Sequence, residues 1–169
     1  KASPSEMDGL VLWLDASNVD GDNNASLQNN ASVSQWKDLS GSSRHATQGS
    51  SSKRPTLTTN AQNSRATLRF DGSDSLSLPN GTVPYGNSNY TVIVIVKSYR
   101  DQAGGILGSG TYGQSNKTNA FRFLGGNRLR HYWWGNDLDT PSNSITHNEW
   151  ILLTYTYKNT VGRKNYING

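Results

Sequence analysis

The seven residues Tyr90-Thr-Val-Ile-Val-Ile-Val96 constrain the fold more than any other stretch, because six of them are β-branched. Such side chains lose torsional freedom in a helix and pack well on a pleated sheet. The run is therefore expected to be a strand, and its continuous apolar character predicts a central one, buried on both faces. Nowhere does the chain sustain the 3.6-residue spacing of an amphipathic helix.

The other apolar runs are short and separated by turn residues. Gly9-Leu-Val-Leu-Trp-Leu-Asp15 is expected to be a buried strand, followed by a long loop through residues 18–34 and a short strand at 35–39. In residues 65–71, Ala66, Leu68 and Phe70 alternate with Thr67, Arg69 and Asp71, so one face is apolar. Gly72 then predicts a hairpin to Ser75-Leu-Ser-Leu78. Residues 104–110 form a glycine-rich strand, and 121–123 and 128–134 flank the turn signal Gly125-Gly-Asn127. Residues 150–157 and 163–167 complete the set.

With 33% hydrophobic and 17% charged residues, the chain could be mistaken for a disordered one, but 5 Trp and 8 Tyr argue for a packed core. Its 169 residues fit one domain. The formal charge of +4 is scattered and accompanies no aromatic-basic motif, which speaks against nucleic acid as a partner. There is no cysteine to staple the fold or act as a nucleophile. No apolar run reaches membrane-spanning length, so membrane insertion is not expected. Tyr166-Ile167 leads into Asn168-Gly169, a favoured hairpin turn. One or more closing strands are thus expected from a further segment or chain.

Four runs occur in order: Gly9-Leu-Val-Leu-Trp-Leu-Asp-Ala-Ser17, Trp36-Lys-Asp-Leu-Ser-Gly-Ser-Ser-Arg-His-Ala-Thr47, Leu68-Arg-Phe-Asp-Gly-Ser-Asp74 and Tyr166-Ile-Asn-Gly169. Together they resemble the laminin-G-like modules of bacterial surface and secreted proteins, in the concanavalin A-like lectin/glucanase superfamily. The resemblance spans residues 9–169 and implies an all-β, two-sheet antiparallel jelly-roll sandwich. It implies an extracellular setting, secreted or on the cell surface, and further strands after the Asn-Gly turn. It fixes the fold better than the function, since this sandwich hosts lectins, glycosidases, lyases and adhesion modules.

Catalysis finds little support in the residues. Glycoside hydrolysis needs two carboxyl groups facing one sugar bond, and the only glutamates, Glu6 and Glu149, are far apart in sequence. His45, His131 and His147 show no close ligand spacing. A lyase-like grouping around Arg130, His131 and Tyr132 is the remaining enzymatic alternative.

Recognition finds more. If Leu129 points inward, Arg128, Arg130, Tyr132 and Trp134 share the opposite face, and Arg122 joins them if Phe121 and Phe123 are core. Rings stack on the C–H faces of sugars while arginines and loop residues such as Asn136 and Asp137 bond their hydroxyls. This stripe predicts binding of carbohydrate, including acidic polysaccharide. The alternative is that Trp133 and Trp134 pack inside and the arginines are merely solvated. Trp13, Trp36 and Trp150, within apolar runs, are expected in the core.

Asp15, Asn18, Asp20 and Asp22 present oxygens at short intervals, as a Ca²⁺ loop would. No Glu follows where an EF-hand-type loop needs one, and a hydrogen-bonded Asx-rich turn accounts for the same spacing. The turn is the favoured interpretation, with calcium as the alternative cofactor. The expected function is that of a non-catalytic, lectin-like carbohydrate-binding module of a larger protein. A structural or protein-binding adhesion module is the second reading, and a polysaccharide-cleaving enzyme the third.

Overall fold

Among the described residues, apart from three single-turn 3-10 helices at Pro4–Glu6, Ala16–Asn18 and Ser51–Lys53, the regular structure is strand. The computed structural model describes residues 3–169 and places its strands in several antiparallel sheets. The chain divides into two compact units, one ending at Thr82 and one running from Val83 to Gly169.

In the first unit, β1 (Gln35–Trp36) pairs with β2 (Ala46–Thr47), and β3 (Thr56–Gln62) with β4 (Arg65–Arg69). Val19, Val33, Leu57 and Leu68 form its buried centre, with Trp36, Leu27 and Leu76 packed against it. Residues 9–15 are not a strand, contrary to the sequence expectation. Trp13 N–H is taken by the carboxylate of Asp38 at 2.9 Å, where a ladder partner would otherwise sit, and Trp13 C=O accepts from Leu39 N–H. The predicted hairpin with residues 75–78 is also wrong. Strand β4 pairs backwards with β3 through Asn63-Ser64, both with positive φ as a tight two-residue hairpin requires. Ser77 instead bridges Thr47, and Phe70 ends exposed.

In the second unit, β5 (Tyr90–Val96), β10 (Ile151–Lys158) and β11 (Gly162–Ile167) form a three-stranded sheet in the order β11-β10-β5. Between β5 and β10 the chain builds a four-stranded meander: β6 (Gly104–Gly110), β7 (Thr118–Leu124), β8 (Arg128–Tyr132) and β9 (Leu138–Asp139). The β7–β8 hairpin turns at residues 125–127, as expected. The two sheets meet through their rings: Phe121 lies 4.5 Å from Tyr155, and Trp133 4.9 Å from Tyr157, between centroids. Strand β5 is not central. It is the outer neighbour of β10, and Ile93 and Ile95 point to solvent while Val92, Val94 and Val96 face the interior. Each residue of the run suits a strand, but β-branching does not reveal which strand gains two neighbours. At Asn168 and Gly169 φ is positive, and Asn168 N–H donates to Leu152 C=O at 2.8 Å.

Candidate functional site

Strand β8 presents its side chains alternately to the two faces of the sheet. Leu129 and His131 are fully buried, so Arg128, Arg130 and Tyr132 point to the other side of the four-stranded sheet. Arg122 lies opposite Arg130 and Ala120 opposite Tyr132, which brings both onto the same outer face. On β6, Gly105 lies opposite Arg122 and Gly108 opposite Ala120. The face therefore carries two rows across the sheet. One runs Gly108, Ala120, Tyr132; the other runs Gly105, Arg122, Arg130, Asp139. Because Gly105 and Gly108 lack side chains, the β6 end of both rows is a shallow floor beside taller groups.

Rings stand at one end of that floor. Tyr112, from the loop after β6, is 73% exposed, and its ring lies 4.4 Å edge-to-face from Trp134 and 6.4 Å from Tyr132. Tyr132 itself is covered to 8% exposure by this packing, whereas Trp134 stays half-buried in a turn at φ 49°. The stripe is thus assembled on one face, but its accessible rings are Tyr112 and Trp134 rather than Tyr132. Only Trp133 of the tandem tryptophans packs inside. The Arg122 guanidinium lies over the Tyr132 ring at 5.5 Å and, among the described residues, forms no ion pair.

The other arginines are engaged. Arg130 grips Asp139 through two 2.7 Å bonds and reaches Asp137 at 3.1 Å, while Arg128 stands 3.9 Å from Asp139. The hydrogen bond and charge of Arg130 hold the Asp139 carboxyl below its ordinary range, and Asp139 raises Arg130 in return. Asp137 also accepts from Trp133 N–H at 2.9 Å, which fixes the turn carrying Trp134.

Asn136 belongs elsewhere. It lines a cleft of about 750 Å³ bordered by Asn87, Asn116, Lys117, Tyr157, Asn159 and Arg163. Arg163 stacks on Trp133 at 4.4 Å and donates to the backbone carbonyls of His131 and Asn136. Beneath it, Tyr90 Oη lies 2.6 Å from His131 Nε2, and Asn119 Oδ1 accepts from Trp133 Nε1 at 3.1 Å. Burial lowers His131 to about 3, helped by the Arg163 charge, and burial raises Tyr90 to about 12. Burial also lowers Arg163.

Sequence reasoning missed Tyr112, Lys117, Asn87, Asn159 and Arg163. The first four lie in or beside turns, where no periodicity marks a direction. Arg163 is placed by the β10–β11 register, in which it lies opposite Tyr157.

In the loop of Asp15, Asn18, Asp20 and Asp22, the side-chain oxygens of the first three are used locally. Asp15 caps Ser17 N–H, Asn18 accepts from Asn23 N–H, and Asp20 accepts from the N–H groups of Asp22, Asn24 and Ser26. Desolvation opposes ionisation of Asp20, but these bonds from Ser26, Asp22 and Asn24 outweigh it and keep the carboxyl well below its usual range. Among the described residues no three acidic, histidine or cysteine side chains converge as a metal would need. Trp13, Trp36 and Trp150 are half-buried, with Trp36 on the core of the first unit.

Compared with family models, with curated proteins and with solved structures, the chain finds no match.

Proposed function

We propose that the chain is a non-catalytic, lectin-like carbohydrate-binding module of a secreted or cell-surface protein, built on a concanavalin A-like, laminin-G-like jelly roll. The observation that carries this is the exposed Tyr112 ring, edge-to-face with Trp134, on the sheet face that also carries Gly105, Gly108, Ala120 and Arg122. A pyranose ring can lie on that face with its C–H side against an aromatic ring and its hydroxyls toward Arg122 and Arg130. The fixed Arg130–Asp139 pair offers donors already held in place, so little entropy is lost on binding.

The absence of catalysis in this proposal has its own support. Among the described residues, Tyr90 and His131 are the titratable pair brought closest together, and burial moves both pKa values far from neutrality. Neither exchanges a proton readily near pH 7, as a general acid or base must. A protein-binding module is the second reading. It is favoured by Ile93, Ile95, Leu152 and Tyr166, exposed on the outer face of the three-stranded sheet, a surface suited to a further segment or chain. A glycan-array screen with and without added calcium tests the proposal. It predicts calcium-independent hits that Tyr112→Ala and Trp134→Ala each diminish, and an empty array would overturn it.

A further inference from the structure

The cleft beside Asn136 differs in charge from the outer face. There, Asp137 and Asp139 offset Arg128 and Arg130. Lys117 and Arg163 border the cleft with no carboxylate among its lining residues. Arg163 is half-buried and meets carbonyl oxygens, which satisfy its N–H groups but not its charge. Asp137 is the carboxylate that acts on it electrostatically, and that group is already bound to Arg130 and to Trp133 N–H. Stacking on Trp133 fixes the guanidinium plane. Around it stand the amides of Asn87, Asn116, Asn136 and Asn159; their oxygens already accept from Tyr157, Asn136 and Arg163, which leaves the N–H groups of Asn87, Asn116 and Asn159 as donors toward a ligand.

We propose that this cleft is a second binding site, taking a carboxylate-bearing sugar residue whose anion meets Arg163 and Lys117 and whose hydroxyls meet the surrounding amides. A planar guanidinium held in place suits a planar carboxylate, and the lysine adds a second positive charge. The volume, about 750 Å³, accommodates a sugar unit with room for its neighbours, whereas a lone inorganic anion would leave the amides unused. The sugar part of this assignment rests on the carbohydrate reading above; the selectivity for an acidic one does not follow from the outer face, whose charges are nearly balanced.

The test uses calorimetric titration of the whole chain with an oligogalacturonate and with the same oligomer after carboxyl reduction. The charged oligomer is expected to bind at least tenfold more tightly, and raising salt from 50 to 500 mM should weaken only that interaction. Arg163→Gln should remove most of the difference in affinity between the two oligomers. Because Arg163 also packs on Trp133, Lys117→Gln serves as the second variant. Its side chain is exposed, and a several-fold loss is expected with an unaltered melting temperature. Equal affinity for the charged and reduced oligomers, or a folded Arg163→Gln that binds the charged one as well as wild type, overturns this proposal alone. A protein that binds no glycan of either kind overturns the carbohydrate reading with it.

Discussion

The hydroxyl of Tyr90 lies 2.6 Å from Nε2 of His131, joining the two sheets of the second unit by a buried polar contact. His131 is fully buried and its pKa falls to about 3 from an ordinary 6.5, so the folded protein holds it neutral. Between pH 6.5 and about 3 the unfolded chain binds a proton there that the native state refuses. Stability is thus present in full above pH 6.5 and is lost as pH falls, by up to about 1.4 kcal/mol per pH unit. Thermal melts between pH 7 and 4.5 should show this decline, and His131→Gln should flatten it even though the variant starts less stable. A parallel decline in the variant would assign the acid sensitivity elsewhere.

Asp38 organises the first unit much as His131 organises the second. One carboxylate oxygen accepts from Trp13 and Ser40 N–H, the other from Arg44 N–H and Ser40 Oγ, all at 2.9 Å. Asp38→Asn keeps one acceptor and places a donor against Arg44 N–H and Ser40 Oγ. Chemical denaturation should show a loss on the order of 2 kcal/mol. An unchanged midpoint would mean that these bonds re-form with water at no cost.

Gly110 sits at φ 96°, and a Cβ built on it would lie 2.0 Å from the carbonyl oxygen of Lys117. That contact is with backbone, so neither partner can rotate away. Gly110→Ala should destabilise by more than about 2 kcal/mol, whereas Gly104→Ala, with open space around it, should cost far less. Paired melting curves of the two variants check the contrast.

Strand identity was legible wherever local pattern decides it. The alternation of β8, the apolar stripe of β10 and the Gly125-Gly126-Asn127 turn all appear as the residues imply, because side-chain period and turn chemistry are local properties. Pairing partners were not legible. The hairpin at Asn63-Ser64 lacks the glycine that usually marks such a turn, and the Asp38 carboxylate that displaces a strand at Trp13 lies 25 residues away. The same limit applied to the candidate site. The arginines and Tyr132 shared a face as their spacing required, yet Tyr112 and Arg163 reached their places through loops and register that the sequence does not write down.

The turn formed by residues 15–24 yields a further expectation. The side-chain oxygens of Asp15, Asn18 and Asp20 already accept backbone N–H groups, so adding calcium or chelator should leave the melting temperature unchanged. Asp20→Ala should lower it by releasing three N–H groups at once. A calcium-dependent rise would instead assign a bound cation to this loop.

The outer face of the four-stranded sheet is tested most directly by one comparison. Wild-type protein is screened on a glycan array, the best ligand is titrated, and the titration is repeated with Tyr112→Ala and Trp134→Ala. Recognition through these rings predicts an affinity loss of at least tenfold, about 1.4 kcal/mol, in each variant with the fold intact. Undiminished binding in both folded variants, or no ligand at all, would contradict it.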